Sequence, residues 1–409
     1  SGKGNQSDTT FAKAMLTANN KTNTATEHYY MYLDISENTF TYTQDENTPE
    51  ILLTIKDANG NAITSITGLT HKTVTDGKGA SISGFDITTK KEAITLFNNR
   101  EITANPTKTE QWNITVTFVN YNANQAGNAG KNFTAKLMIQ KEKILTLAEH
   151  VISQYTGTQG DNALYYHNST LTNGAGDNSY RYAGASDSVN NYICLGSDVA
   201  TCPDANLFRI IGVFGDQTKV IRAKSVGNKQ WHTSESNTWS SSSLNAYLNG
   251  EYLTSLGTLA DKIATTTWKA GGGIWSNIVT SVPKTAYQNE VGSSASSTTV
   301  DKKIGLMYVS DYYYSASPSA WTLVGYNESD ATKDYRAAKT INWLYLGSNE
   351  WTISRTSDIT PYAFGMFSTG LVSNYGVTLS FGVRPSFNLL SSVTYASGSG
   401  TSSDPIRIN

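Results

Sequence analysis

Residues 342–390 read NWLYLGSNEWTISRTSDITPYAFGMFSTGLVSNYGVTLSFGVRPSFNLL. The order is a Trp-led strand, a polar gap, a short aromatic strand, a glycine turn, another strand and a closing GVRP strand. Short β-prone runs punctuated by Gly, Ser, Asn and Pro define strands of a few residues each. In the closing strand Val383, Phe387 and Leu389 alternate as inward positions. Trp343, Trp351 and Phe364 are expected in the core. Arg384 is expected to be structural, salt-bridged or bonded to loop carbonyls, because long loops need internal donors. Between these framework positions lie Asp358, Ile359, Thr360, Pro361, Tyr362, Met366, Leu371, Ser373, Tyr375, Thr378 and Ser380. A framework of this kind can present them on one solvent face, and Tyr and Ser in such places are what a binding surface uses.

Toward the N terminus, KIGLMYVSDYYY (residues 303–314) reads as a strand running into an aromatic loop, with Asp311 a loop residue. SSSLNAYLNGEYLTSLG (241–257) is helical in part, with Leu244, Leu248 and Tyr252 as its stripe. Ser241 or Ser242 is its cap and Asn249-Gly250 an interruption. LFRIIGVFG and TKVIRAK are two strands about a turn at Gly215-Asp216. In KEKILTLAEHVISQYTG (141–157), Ile144, Leu147, Ala148, Val151 and Ile152 recur at helical spacing, and this helix opens a second unit. Before it the period is two. YYMYLDI, TFTYTQ, EILLTIKD, AITSITGL and WNITVTFVN alternate, with a turn at Asn59-Gly60. The expected organisation is a loose segment over residues 1–27, a β-sandwich over 28–140 and a larger α+β domain over 141–409. The fold class is therefore mainly β, with the helices in the C-terminal part.

Composition bounds the function. The 409 residues are 38% hydrophobic, 16% charged and 11% aromatic, with a formal net charge of −2. Disorder shows few aromatics and high net charge, so this chain folds. A basic nucleic-acid footprint is absent, and no stretch is apolar enough to span a bilayer. The opening SGKGNQSDTT reads as an artificial junction, with Ser1-Gly2 a tag scar and any anchoring segment removed. Cys194 and Cys202 are spaced for a local disulfide closing a small loop. That places the chain in an oxidising compartment, the bridge contributing about 2.5 kcal/mol by loop closure. Asp198 and Asp204 beside it are read as turn caps. No phosphate loop, dinucleotide fingerprint, serine elbow or HExxH pair is present. No catalytic residue, metal ligand or cofactor is assigned, and the chain is not read as an enzyme.

The 342–390 segment resembles the C-terminal half of the bacterial C-type-lectin-like fold, found in phage receptor-binding tips, retroelement-diversified variable proteins and surface proteins of gut Firmicutes. The matching positions are Trp351, Thr352, Ser354, Ala363, Phe364, Phe367 or Ser368, Gly370, Val372, Val383 and Arg384. NNYICLGSD, CPDANLFRIIGVF and WSSSSLNAYLNGEYL also look like gut Firmicutes surface proteins, so the resemblance covers about residues 150–409. It departs from the formylglycine-generating branch, whose late cysteines have no counterpart after Cys202. The calcium-holding Glu-Pro-Asn pattern of animal lectins has no match either.

The resemblance implies a secreted or surface-anchored adhesion protein. An immunoglobulin-like stalk would carry a lectin-like domain that binds a host or bacterial surface protein or glycan. The ligand set it implies is Asp358, Thr360, Tyr362, Met366, Leu371, Ser373, Tyr375, Thr378 and Ser380. Two other readings stand beside it: a structural, pilus-like surface subunit, and an extracellular glycan hydrolase with two carboxyls about 5–9 Å apart.

Overall fold

A computed structural model describes residues 9–22, 24–104, 108–326 and 333–409. The chain is mainly β, with its helices concentrated in the C-terminal half, and it divides into two compact units, Ser1–Ile144 and Leu145–Asn409.

The first unit has two antiparallel sheets. One runs in the order Thr10–Asn19, Thr109–Phe118, Ile51–Asp57, Ser81–Asp86, His71–Thr75; the other runs Ile94–Ile102, Glu27–Asn38, Phe133–Gln140. Met31, Leu33 and Ile35 from one sheet share a core with Ile51, Leu53, Ile55, Trp112, Ile114 and Val116 from the other. The period-two alternation in those strands is therefore the inward face. At the 57–61 turn the Asp57 carboxylate accepts from the backbone of Asn59 and Asn61, and Gly60 takes φ +88°. Residues 39–44 and 62–69, expected as strands, form no strand.

The loose segment expected over 1–27 is corrected. Thr10–Asn19 is a strand paired along its whole length with Thr109–Phe118, and Glu27 already belongs to the next strand. Its pattern misled because it is an edge strand exposed on both faces through Met15. Backbone hydrogen bonds hold it, and they leave no hydrophobic signature. Residues 1–8 lie outside the described residues.

In the second unit the larger sheet runs Ile304–Gly305, Ser386–Leu389, Gln217–Arg222, Leu207–Phe214, Tyr180–Tyr182, Leu164–Tyr166, with Tyr192–Cys194 also paired to Leu207–Phe214. A smaller sheet runs Asn228–Gln230, Ser380–Gly382, Glu350–Arg355, Tyr362–Met366, Val372–Gly376. Thr266–Lys269 and Thr299–Lys302 form a separate antiparallel pair. One apolar core serves both main sheets and includes Trp343, Trp351, Phe364, Val383, Phe387 and Leu389. Asn342 makes a single bridge to Ala316, and Trp343 and Leu344 form a turn, not a strand.

Three local features position the site. The helix Leu147–Ser153 starts with a reciprocal cap between Thr146 and Glu149. Ser242 caps the helix Ser243–Tyr247, and Asn249-Gly250 does not interrupt it. The backbone widens into a π turn over Leu248–Tyr252, where the Asn249 amide donates to the Ile304 carbonyl. The third feature is the largest departure from expectation. The aromatic stretch is the helix Val309–Tyr314, and all six of its residues are buried. A helix enclosed on every side carries no amphipathic period, so six residues of it are indistinguishable in sequence from a strand end and a loop.

Candidate functional site

Of the residues expected on the 358–380 face, Asp358, Thr360, Thr378 and Ser380 are exposed and Tyr362 is 38% exposed. Leu371 and Ser373 are half-buried. Met366 is corrected: it is 2% exposed and belongs to the core. Its strand, Tyr362–Met366, lies between two neighbours in the sheet, and both faces are covered beyond Tyr362. Tyr375 is half-buried, its ring 4.8 Å from Phe367 and 4.9 Å from Phe381. Burial pushes its phenol far up from 10.0. It is a packing residue more than an anchor. The expected face thus keeps its polar rim and loses Met366 to the core.

A different concavity is built more deliberately. Lys219 on Gln217–Arg222 and Arg181 on Tyr180–Tyr182 point from the larger sheet toward Asp311 of the helix Val309–Tyr314 and toward Asp177. Lys219 Nζ lies 2.5 Å from Asp311 Oδ2, and Arg181 Nη2 lies 2.6 Å from Asp177 Oδ2. A weaker contact of 3.7 Å joins Arg181 to Asp311 Oδ1. The Lys219, Arg181 and Asp311 side chains are 7%, 3% and 3% exposed. Aromatic rings close around the cations. Lys219 Nζ is 4.7 Å from the Tyr308 ring centre and 5.5 Å from that of Trp268. The Arg181 guanidinium is 4.7 Å from Phe214 and 5.3 Å from Tyr287. These are cation–π distances.

Above this cluster lies a recess of about 290 Å³, lined by Asp177, Arg181, Lys219, Asp311, Trp268, Tyr287, Tyr308 and Asn388 among others. Asn388 donates through Nδ2 to Thr266. Its buried Oδ1 finds no hydrogen-bond partner among the described residues. A buried acceptor left without a donor costs about 1–3 kcal/mol, unless something else supplies one.

Electrostatics fix the charges. Burial alone would raise the Asp177 carboxyl, but Arg181 and the Ser179 hydroxyl and amide outweigh it and hold the group well below 3.8. Burial pushes the Lys219 ammonium down against the opposing pull of Asp311. Beside them Glu290, fully enclosed, is raised by burial although it accepts from the Val309 and Ser310 amides and the Ser354 hydroxyl.

Asp311 is corrected from a loop residue to the acceptor at the centre of this cluster. Its Oδ2 also takes the Tyr308 amide at 2.8 Å. Arg181, Lys219, Asp177, Trp268 and Asn388 were not singled out from sequence. One signal was available: Lys219 and Arg181 are cations set inside otherwise apolar strand runs, TKVIR and YRY. The Asp204 carboxylate pairs with Lys224 at 2.5 Å, both exposed, and no group of three or more His, Cys, Asp or Glu is placed to hold a metal ion among the described residues. No helix among them is long and apolar enough to cross a membrane. Cys194 and Cys202 are joined in a disulfide.

No known protein family, no curated protein and no solved structure matches this chain.

Proposed function

We propose that this chain is an extracellular or cell-surface binding protein whose C-terminal unit, read as lectin-like, takes a single sugar-sized, hydroxyl-rich group in the recess above Lys219 and Asp311. The observation that carries this reading is the unsatisfied Asn388 Oδ1 in a recess walled by Trp268, Tyr287 and Tyr308. A pyranose offers hydroxyl donors at its edge and C–H faces to aromatic rings. The recess sets aromatic walls beside placed polar and charged groups, a combination that orients a small ligand. The Cys194–Cys202 bridge supports an oxidising compartment. The N-terminal unit, two sheets on one core, suits a stalk of immunoglobulin-like kind. Titration of the full chain with free hexoses and N-acetylhexosamines by calorimetry tests the reading. Saturable binding is expected, with Asn388→Ala about tenfold weaker, the worth of one hydrogen bond to a ligand. Saccharides that fail to bind, or an Asn388→Ala protein that binds like the parent, would refute it.

A second reading has its own observation. Ile359, Tyr362 and Leu379 are 43%, 38% and 48% exposed. The Val377 amide bonds the Pro361 carbonyl and Tyr362 pairs with Gly376, so the two loops carrying these side chains lie side by side. An apolar patch on a polar rim suits a protein ligand. Loss of binding to a captured surface protein in Tyr362→Ala, with saccharide binding intact, would favour it.

A further inference from the structure

Lys219 and Asp311 are set up for more than an ion pair. The two residues come from different elements, a strand of the larger sheet and the helix Val309–Tyr314, 92 positions apart in sequence. Lys219 Nζ is 2.5 Å from Asp311 Oδ2, so the carboxyl carbon is one bond further on and within reach of the nitrogen. Held this way, two groups react as one molecule, and effective concentrations of such pairs reach about 10⁵–10⁸ M.

The surroundings exclude water from the pair. Both side chains are nearly inaccessible to water. Arg181 is matched by Asp177 at 2.6 Å and stands 3.7 Å from Asp311. Burial also pushes the Lys219 ammonium toward the free amine. The Tyr308 amide donates to Asp311 Oδ2 at 2.8 Å. Such a donor polarises the carboxyl and steadies the oxyanion of a tetrahedral intermediate. Glu290 is fully buried and binds the amides of Val309 and Ser310, next to Asp311 in the chain. Burial raises its carboxyl, which suits it to carry a proton.

We propose that Lys219 and Asp311 condense to an intramolecular isopeptide bond, with Glu290 as the proton carrier. Within the pair Nζ passes one proton to the Asp311 carboxyl, and the freed amine lone pair attacks Cγ, forming the Nζ–Cγ bond. A proton moves from Nζ through Glu290 to the departing oxygen, the Cγ–O bond breaks, and one water leaves. The remaining carboxyl oxygen becomes the amide oxygen and keeps the Tyr308 donor. No oxidant, reductant or co-reactant enters. The Nζ of the product keeps a single hydrogen, and the aromatic walls of Trp268 and Tyr308 shield the amide from hydrolysis. The product staples the larger sheet to the buried helix, independently of whether the recess binds a saccharide.

The mass of the full chain decides the matter. Under denaturing conditions, after reduction and alkylation, the protein should weigh one water less than its sequence with both cysteines alkylated. Proteolytic fragments should include a branched peptide joining Lys219 to Asp311. A full sequence mass, with both residues recovered in separate linear peptides, would overturn the proposal, and so would a water loss mapped to any other pair. Because the measurement is made on the parent protein, it does not depend on a variant folding. Glu290→Gln tests the proton carrier: a protein with parent-like tryptophan emission and an accumulating linear form is expected. A folded Glu290→Gln protein that cross-links as completely and as fast as the parent would remove Glu290 from the step.

Discussion

Arg384 grips Glu350 through two contacts, Nε to Oε1 at 2.7 Å and Nη2 to Oε2 at 2.8 Å, with each side chain 1% exposed. The same guanidinium donates to the Leu344 carbonyl at 2.6 Å, which ties the turn at Trp343 and Leu344 to the strand Glu350–Arg355 and to the link between Ser380–Gly382 and Ser386–Leu389. Breaking a buried pair from one side leaves a charge without a partner and costs about 3–5 kcal/mol, whereas an apolar pair of similar volume is often neutral or better. Arg384→Ala should therefore destabilise the C-terminal unit by about that amount in urea melts followed by tryptophan fluorescence. Arg384→Met combined with Glu350→Leu should recover most of the loss. Equal loss in the single and double variants would show that the pair is not the source.

Acid should weaken the protein through Asp177. Its folded carboxyl lies below the ordinary 3.8 because Arg181 and the Ser179 groups outweigh the effect of burial. A depressed carboxylate stabilises the fold fully above its unfolded value, and the contribution is lost as pH falls through the folded value. Stability should hold down to pH near 3.8 and decline below it. Asp177→Asn should be less stable at neutral pH and show a flatter decline in the acid range, read by chemical denaturation at each pH.

Tyr362 and Met366 occupy the same short strand with opposite fates. Met366→Ala empties core volume and should cost about 2–5 kcal/mol. Tyr362→Ala removes a side chain at an exposed position and should fall within about 0.5 kcal/mol. Thermal melts of the two variants separate them, and similar shifts would contradict the placement of this strand.

Reducing the Cys194–Cys202 bridge removes the constraint on a short loop. Loop closure over so few residues predicts a loss of about 2.5 kcal/mol. The fold should persist at low temperature, because Leu195, Asn206 and Arg407 hold the same loop with other hydrogen bonds. A denaturation midpoint that does not move on reduction would contradict the loop-closure estimate.

What the sequence made legible is whatever one period or one dipeptide encodes. The inward faces of Tyr29, Met31, Leu33 and Ile35, and of Trp112, Ile114 and Val116, follow from alternation. The helix Leu147–Ser153, the Ser242 cap, the disulfide and the buried Arg384 follow from local chemistry. Three features did not. Thr10–Asn19 is held by main-chain bonds at an edge, which no side-chain pattern reports. Val309–Tyr314 is buried on all sides, so its helical period is erased. The Lys219–Asp311–Arg181–Asp177 cluster is assembled from three stretches far apart in the chain, Asp177 and Arg181 sharing one of them, so the site depends on topology more than on any motif.

The strand Ser386–Leu389 lies inside the larger sheet, between Ile304–Gly305 and Gln217–Arg222. A segment whose Ser386 bonds Val220, 166 positions earlier, is thus an interior plank of the sheet. Until it arrives, the strand bearing Lys219 has an open edge, and its partners wait for a long-range pairing that is intrinsically slow. A nascent or prematurely terminated chain would expose that edge to its neighbours. Production of the C-terminal unit should therefore tolerate no trimming back past residue 389, and cells making it must keep the growing chain from associating until Ser386–Leu389 has emerged.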